Sequence, residues 1–276
     1  MNPFLLSVEE LERKARAIRR RIIVLNANSP AGGHTGADLS QVELITALYF
    51  RILNCSPEQK DNPDRDIYIQ SKGHAAGGYY CVLAEAGYFP TDWLPTYQHN
   101  DSRLPGHPVR HKTPGVELNT GALGHGLPVA VGIALAAKKS NSPRKVYLIT
   151  GDGELAEGSN WEAALAAAHY KLDNLIIIND KNGLQLAGAT KEIMNTDPLD
   201  KKWQAFGMEV TQCQGNNMAD VVSTLEGLKA NGKPHVVIAR TVKGAGVSFI
   251  EGRAEWHHRV PKGDEVELAL EELKDE

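Results

Sequence analysis

The chain has 276 residues, of which 42% are hydrophobic, and its formal net charge at pH 7 is −4. This length can bury a substantial core and is ordinary for one large α/β domain, whereas the acidic balance offers no basic field for a nucleic-acid backbone. With three widely spaced cysteines, no signal-peptide pattern and no run of about 18 apolar residues, the sequence predicts a cytoplasmic protein without a disulfide framework, a zinc site or a membrane span.

The N-terminal part is predicted to be helical. Ser7 followed by Glu10 is a capping-box pattern, and apolar residues then recur at helical spacing until a first helix ends near Asn28. After the Gly-rich segment SPAGGHTGAD, the segment LSQVELITALYFRIL has a helical period and predicts a second helix. Residues 71–128 are rich in Gly, Pro and His, which predicts loops and short helices of the kind that often carry sites.

The second half alternates short apolar runs with helical segments. KVYLIT, NLIIIN, MEVTQC and HVVIART read as strands, with WEAALAAAHY and MADVVSTLEGLKA as helices between them. Near-continuous apolar runs are typical of strands covered on both faces. The sequence therefore predicts an α/β fold with an open, mostly parallel sheet and helices on both faces, as one domain over residues 1–276.

The segment GDGELAEG lies between the predicted strand KVYLIT and a helix that begins near Gly158. Alone, Asp-Gly is a common turn signal, but open α/β sheets bind ligands at the carboxyl ends of their strands. Asn182 comes about thirty residues after Asp152, just beyond the next predicted strand. One strand-helix-strand crossover would therefore bring Asp152 and Asn182 side by side.

These residue types suit a magnesium ion that bridges a diphosphate. Mg²⁺ prefers oxygen ligands in near-octahedral geometry, and a carboxylate from Asp152, an amide oxygen from Asn182 and a backbone carbonyl from Leu184 would supply them. Gly153 would let the backbone approach the phosphates, and the N-terminus of the following helix would add amide donors.

GDGELAEG followed by NDKNGLQ resembles the two-part thiamine diphosphate motif. Four further segments resemble the transketolase branch of that family: ANSPAGGHTGADLS, SKGHAAGGYY, LPGHP with PGVELNTGALGHG, and TVKGAGVSFIEGRAEWHH. The resemblance spans about residues 7 to 260 and implies a thiamine diphosphate-binding fold. It also implies thiamine diphosphate with Mg²⁺, or Ca²⁺ or Mn²⁺ in its place, and site loops at residues 29–36, 71–78, 103–126 and 243–260.

The resemblance further implies roles for individual residues. Histidines in the matching motifs would line the channel to the reactive carbon of the cofactor and help to move protons: His34, His74, His107 and His257. Glu157 would join a carboxylate network across a subunit interface. The residues that would contact the cofactor are His74, Gly121, Leu123, Asp152, Gly153, Glu157, Asn182, Leu184, Lys243 and His257.

The remaining histidines match the family less well. His125 stands where full-length transketolases carry Gln, so its role stays open. The others are interpreted as structural or surface residues: His99, His111, His169, His235 and His258.

The family places a pyrimidine-binding domain after the diphosphate-binding domain, and that second domain contributes the glutamate that activates the cofactor. No second strand-helix-strand array follows residue 260. We therefore expect a separate C-terminal transketolase subunit, an α₂β₂ assembly, and transfer of a two-carbon ketol unit from a ketose or ketose phosphate to an aldose or aldose phosphate only with that partner.

Three alternatives stay open. An α-subunit of a 2-oxo acid dehydrogenase also carries GDG, but normally lacks the SKGHA, PGHP and WHH-type segments. A non-catalytic cofactor-binding subunit would keep the fold without the chemistry, although Asp152 and Asn182 are both present. A 1-deoxyxylulose-phosphate synthase shares residues of the GHTGADLSQVEL type in a much longer chain. The donor and acceptor sugars are not determined by these motifs.

Overall fold

A computed structural model describes residues 2–274, and within that range a parallel five-stranded sheet has the order β1-β2-β3-β7-β6. A separate antiparallel pair, β4–β5, follows β3. This architecture confirms the predicted α/β fold. The strands are β1 (Ile67–Gln70), β2 (Val146–Gly151), β3 (Leu175–Lys181), β4 (Leu184–Gln185), β5 (Gly188–Ala189), β6 (Glu209–Gln214) and β7 (His235–Arg240).

Helices cover both faces of the sheet. The α-helices are α1 (Val8–Ala27), α2 (Thr35–Ser40), α3 (Val42–Ala47), α4 (Ala76–Glu85), α5 (Gly126–Lys139), α6 (Gly158–His169), α7 (Thr190–Ile193), α8 (Leu199–Ala205), α9 (Met218–Gly227) and α10 (Asp264–Glu272). Short 3₁₀ helices lie at Pro57–Gln59, Thr91–Thr96, Gly153–Ala156 and Ala254–His258. The first helix has the predicted capping box between Ser7 and Glu10.

Alternate strand residues point to opposite faces and separate two apolar cores. Ile149 of β2 and Ile178 of β3 pack with α1, α3, α4 and α9. Leu148 and Ile177, their neighbours along the same strands, pack with α5, α6 and α8 on the other face. The sheet is therefore the middle of three layers, which is why its central strands read as continuous apolar runs.

The predicted second helix is broken into α2, α3 and a π-helical turn at Leu48–Ile52. At the first break, the carbonyl of Ser40 accepts a hydrogen bond from the Asn216 side chain at 3.1 Å, and the Ser40 hydroxyl donates to Asp180 at 2.6 Å. Both partners of Ser40 are far from it in the sequence. The helix is therefore interrupted where Ser40 makes hydrogen bonds to other parts of the fold.

Strand β1 and helix α5 were not predicted from the sequence. The four residues of β1 are all buried beside β2, but they follow an Asn- and Asp-rich loop and are too short to show a clear period. The acidic C-terminal segment forms α10, and the last two residues of the chain lie outside the described range.

The sheet brings distant loops to one edge. In register, Gly151 of β2 lies beside Asp180 of β3, which lies beside Ala239 of β7. The loops that follow these strands therefore leave the sheet at the same end. Within residues 2–274, no helix is both long and apolar enough to cross a bilayer.

Candidate active site

A cavity of about 350 Å³ lies at the carboxyl edge of the sheet. Small-molecule sites in proteins usually enclose about 300–1,000 Å³, so its size suits a cofactor. All the residues that the sequence assigned to cofactor contact line it: His74, Gly121, Leu123, Asp152, Gly153, Glu157, Asn182, Leu184, Lys243 and His257. Their convergence comes from the parallel register of β2, β3 and β7.

Asp152 links the loop after β2 to the loop after β3. Its Oδ1 accepts from the Gly153 N–H at 2.9 Å and its Oδ2 from the Gly183 N–H at 2.6 Å. The side chain of Asn182 folds into the same turn, where Oδ1 accepts from the Leu184 N–H at 3.1 Å. Burial raises the pKa of Asp152 to about 6, with a further contribution from the nearby Asp180 carboxylate.

Oxygen ligands suited to a magnesium ion meet at this turn. The Asp152 carboxylate, the Asn182 amide and the Leu184 carbonyl all belong to the wall of one cavity, and each oxygen keeps a lone pair beyond the hydrogen bond that it accepts. Within the described chain, no group of three or more His, Cys, Asp or Glu side chains is arranged to hold a metal. A site with a single carboxylate fits Mg²⁺ that also binds phosphate oxygens.

Two glycines make room for the cavity. A β-carbon on Gly153 would lie 3.0 Å from Cβ of Gln185, so the glycine allows the turn after β3 to close over the loop after β2. Gly121 has φ +129°, a conformation that favours glycine, and a β-carbon there would lie 2.7 Å from the His107 ring. A side chain at Gly153 would displace Gln185, and one at Gly121 would displace His107, which was predicted for the site.

Lys243 places an ammonium in the wall of the cavity. Its side chain is 2% exposed, and Nζ lies 3.3 Å from the Leu184 carbonyl and 2.7 Å from Nδ1 of His257. Burial, together with the nearby charge of Lys72, lowers the pKa of Lys243 to about 8. An ammonium can only donate, so Nδ1 of His257 accepts, and the neutral ring carries its proton on Nε2.

The four predicted histidines form one cluster. The His34 ring centroid lies 5.2 Å from that of His74, 6.4 Å from that of His107 and 5.5 Å from that of His257, while His74 and His257 stack at 5.2 Å. Burial is the main cause that lowers the pKa of each ring, to about 4 for His34 and about 3 for His257. Neutral imidazoles can both donate and accept, as sugar hydroxyls require.

His258 is exposed, which agrees with its interpretation as a structural or surface residue, but its ring also contacts this cluster. Its ring centroid lies 4.7 Å from that of His34. The available signal was its position directly after His257 in the WHH segment. His99, His111 and His169 are likewise exposed, and His235 is buried at the start of β7.

A buried ion pair beside the cavity was also missed. Lys72 and Asp180 are 1% and 0% exposed and pair directly, and the Asp180 carboxylate also accepts from the hydroxyls of Ser40, at 2.6 Å, and Thr241. Burial opposes ionisation, but Lys72 and these hydrogen bonds hold the pKa of Asp180 below its ordinary value. Lys72 stands in the SKGHA segment, which was the signal in the sequence.

Glu157 and His125 are both exposed in this chain. Glu157 precedes α6 and lines the cavity, whereas His125 precedes α5 outside the cavity lining. The structure therefore places Glu157 at the mouth of the cavity, where another molecule can reach it.

Residues 12–274 match the family described as "Transketolase, thiamine diphosphate binding domain". A subunit of an apulose-4-phosphate transketolase from Actinobacillus succinogenes is 79% identical over 276 residues, covering 100% of both chains. A 6-deoxy-6-sulfo-D-fructose transketolase subunit from a Clostridium species is 39% identical over 269 residues, covering 97% of both. The solved transketolase from Campylobacter jejuni superposes with a TM-score of 0.88 at 32% identity, covering 97% of this chain and 43% of its own.

Proposed function

Because this chain belongs to the family of transketolase thiamine diphosphate-binding domains, we propose that it is the N-terminal subunit of a two-chain transketolase. In this role it binds thiamine diphosphate through Mg²⁺ and serves transfer of a two-carbon ketol unit from a ketose phosphate to an aldose phosphate. The observation that carries the proposal is the single cavity shared by all the predicted cofactor residues. We extend the proposal to a cytoplasmic location, which rests on the sequence.

The diphosphate end would lie at the turn after β3. Asp152, Asn182 and Leu184 would hold the metal, and the buried Lys243 ammonium would face the phosphate oxygens. A cation buried beside Leu184 and His257 lacks a carboxylate partner at hydrogen-bond distance among residues 2–274. An anionic ligand would compensate that charge.

The other end would lie near Gly121, Leu123 and Glu157. Backbone groups of the loop before α5 would face the aminopyrimidine ring, and exposed Glu157 would meet the partner chain. When bound, thiamine diphosphate supplies a nucleophilic carbon that the protein side chains lack.

The histidine cluster would bind the sugar and move its protons. Nδ1 of His257 accepts a hydrogen bond from Lys243, so the ring proton is on Nε2 and can be donated to a sugar hydroxyl. Burial lowers the pKa of His34 and His74 and favours their neutral forms, so each can accept a proton from a hydroxyl and return it; the exposed His107 ring, whose pKa is also lowered, would join them. A nearby cation opposes protonation of His74 and His257, which keeps these rings available as acceptors.

The partner proposed here is a C-terminal transketolase subunit with the pyrimidine-binding domain, in an α₂β₂ assembly. Relatives that this chain matches over 97% or more of their own length are named as transketolase subunits, and their names give different ketoses. The proposed donor follows from the relative at 79% identity, so apulose 4-phosphate is the first ketose to test.

Membership of the transketolase family removes the support for a 2-oxo acid dehydrogenase α-subunit. The match to transketolase subunits over 97% or more of their own length also disfavours the much longer 1-deoxyxylulose-phosphate synthase. A non-catalytic cofactor-binding subunit is the remaining alternative, and an activity measurement decides it.

The test is ketol transfer from a panel of ketose phosphates with thiamine diphosphate and Mg²⁺, using this chain alone and co-expressed with a candidate pyrimidine-domain partner. Activity only with the partner supports the proposal. Activity of the chain alone would contradict the two-chain arrangement, and inactivity in both cases would favour the non-catalytic alternative.

A further inference from the structure

A row of histidine rings lies between the cofactor cavity and a second cavity. His74 and His257 line the first cavity, and the His34 ring lies 5.2 and 5.5 Å from theirs. On its other side, His34 contacts His258 at 4.7 Å. His258 lines a second cavity of about 600 Å³. The row of rings therefore leads from the cofactor site to a separate space at the surface.

His258 packs against Gly32, and side-chain hydrogen bonds anchor the two loops that carry these residues. A β-carbon on Gly32, which has φ +84°, would lie 3.6 Å from the His258 ring, so the ring packs across this glycine. The Gly32 carbonyl is anchored by the Gln98 side chain at 2.8 Å, and the Thr35 hydroxyl donates to the Arg259 carbonyl at 2.7 Å. The two loops that form the second cavity are thus fastened to each other.

The second cavity carries both signs of charge. Arg259 pairs with Glu265 at 2.5 Å and lies 4.2 Å from the Trp256 ring, so its guanidinium is already engaged. Lys262 and Asp264 add one group of each sign. A phosphate dianion there would face two carboxylates, whereas neutral hydroxyls can use donors and acceptors together.

We propose that this second cavity binds the hydroxyl-bearing part of the sugar substrate, and that His258 hydrogen-bonds a hydroxyl there and contributes to substrate specificity. The inference rests on the proposed transketolase function and adds a subsite to it. The substrate phosphate lies elsewhere, because the cavity offers it a balanced rather than a positive surface.

The test compares His258→Phe with His258→Asn in the complex with the partner subunit. Phe keeps a ring against Gly32 and His34 but cannot hydrogen-bond, while Asn restores a polar group. With D-erythrose and D-erythrose 4-phosphate as acceptors, we expect His258→Phe to raise KM for both about tenfold, with kcat within about threefold and cofactor affinity unchanged. His258→Asn should recover most of the KM.

His169→Phe is the matched control, because His169 is exposed at the end of α6 far from the site. An unchanged KM for both sugars in His258→Phe would overturn the inference while leaving the ketol transfer of the wild type intact. A raised KM for D-erythrose 4-phosphate alone would show that the second cavity binds the phosphate group. That result would also overturn the inference.

A binding measurement covers the case in which the wild-type complex transfers no ketol unit. The complex with ¹⁵N-labelled histidine, thiamine diphosphate and Mg²⁺ is titrated with D-erythrose, and the His258 resonance is identified by its loss in His258→Phe. A shift of that resonance supports the subsite even without turnover. No shift at saturating sugar would reject it.

Discussion

The carboxylate of Glu154 accepts a hydrogen bond from the backbone N–H of Gly124 at 3.0 Å. The same carboxylate accepts from the Ser71 hydroxyl at 2.5 Å and from the Gly151 N–H at 3.1 Å, and the residue is 2% exposed. Burial raises the pKa of Glu154. One side chain therefore joins the loop after β1, the loop after β2 and the loop before α5, and these three segments contribute to the cofactor cavity.

Glu154→Gln should weaken both the fold and the site. An amide offers one accepting oxygen instead of two, so at least one of the three donors would be left unpaired in a buried setting. We expect the free energy of unfolding to fall by about 1–3 kcal/mol and the affinity for thiamine diphosphate to decrease. Chemical denaturation measures the free energy of unfolding, and calorimetric titration measures the affinity for thiamine diphosphate. Glu192→Gln, at an exposed position, is the control. Equal values for the two variants would contradict the role of Glu154.

Lys243→Met should separate cofactor affinity from stability. Removing a buried ammonium relieves its desolvation cost, so the cofactor-free protein should melt at the same or a higher temperature. Affinity for thiamine diphosphate should fall about tenfold or more, because the diphosphate loses a buried cation. Exposed Lys201→Met serves as the control, and a variant that binds the cofactor as tightly as the wild type would show that Lys243 does not face the diphosphate.

Asp152→Ala should abolish the Mg²⁺ dependence of cofactor binding by the assembled protein. The variant removes the one carboxylate of the predicted ligand set, and with it the hydrogen bond from Gly183. Titration of thiamine diphosphate with Mg²⁺ and with EDTA should then give the same weak affinity. Asp61→Ala, at an exposed position, should keep the difference, whereas unchanged affinity in Asp152→Ala would reject the metal assignment.

Asp38 should make stability depend on pH. Burial raises the pKa of Asp38 from 3.8 to about 6, against the opposing hydrogen bonds from Asn26 and Gly78. Between these two values the folded state binds the proton more tightly than the unfolded state, so stability falls as pH rises. The wild type should lose about 2 kcal/mol from this group between pH 4 and pH 7.

Asp38→Asn should remove that dependence, because its side chain carries no titrating proton. In the described chain, Oδ1 of Asn26 is buried without a hydrogen-bond partner, and after rotation of its amide it can accept from the amide introduced at position 38. Urea denaturation at several pH values should give a smaller fall in stability for the variant than for the wild type. Parallel curves would mean that Asp38 does not cause the effect.

Much of the fold and of the candidate site was accessible from the sequence because the relevant patterns are local. NLIIIN is apolar over a whole strand, since both faces of β3 are covered, and the first helix is marked by its capping pair, Ser7 and Glu10. Asp152 and Asn182 each follow a strand directly, so parallel pairing of β2 and β3 was sufficient to bring their loops together.

Other features depend on contacts between residues far apart in the chain. The break in the second predicted helix follows from the partners of Ser40, and β1 is recognisable through its pairing with β2. The residues around Ser40 show a helical period that hides the break. The residues around β1 read as a loop that hides the strand.

The sequence by itself determined the α/β class and the alternation of strands and helices in the second half, because strand periodicity and glycine-rich turns are encoded within a few neighbours. Asp152 and Asn182 followed from their positions after two strands, and the other residues of the cofactor cavity followed from the resemblance of their motifs to the transketolase family. Only the tertiary structure decided that Lys72 pairs with Asp180, that Glu154 joins three loops and that His258 extends the histidine cluster. A lone charge or ring in a sequence reads as solvent-exposed, and its partner is selected by packing, where burial makes an unpaired polar group costly.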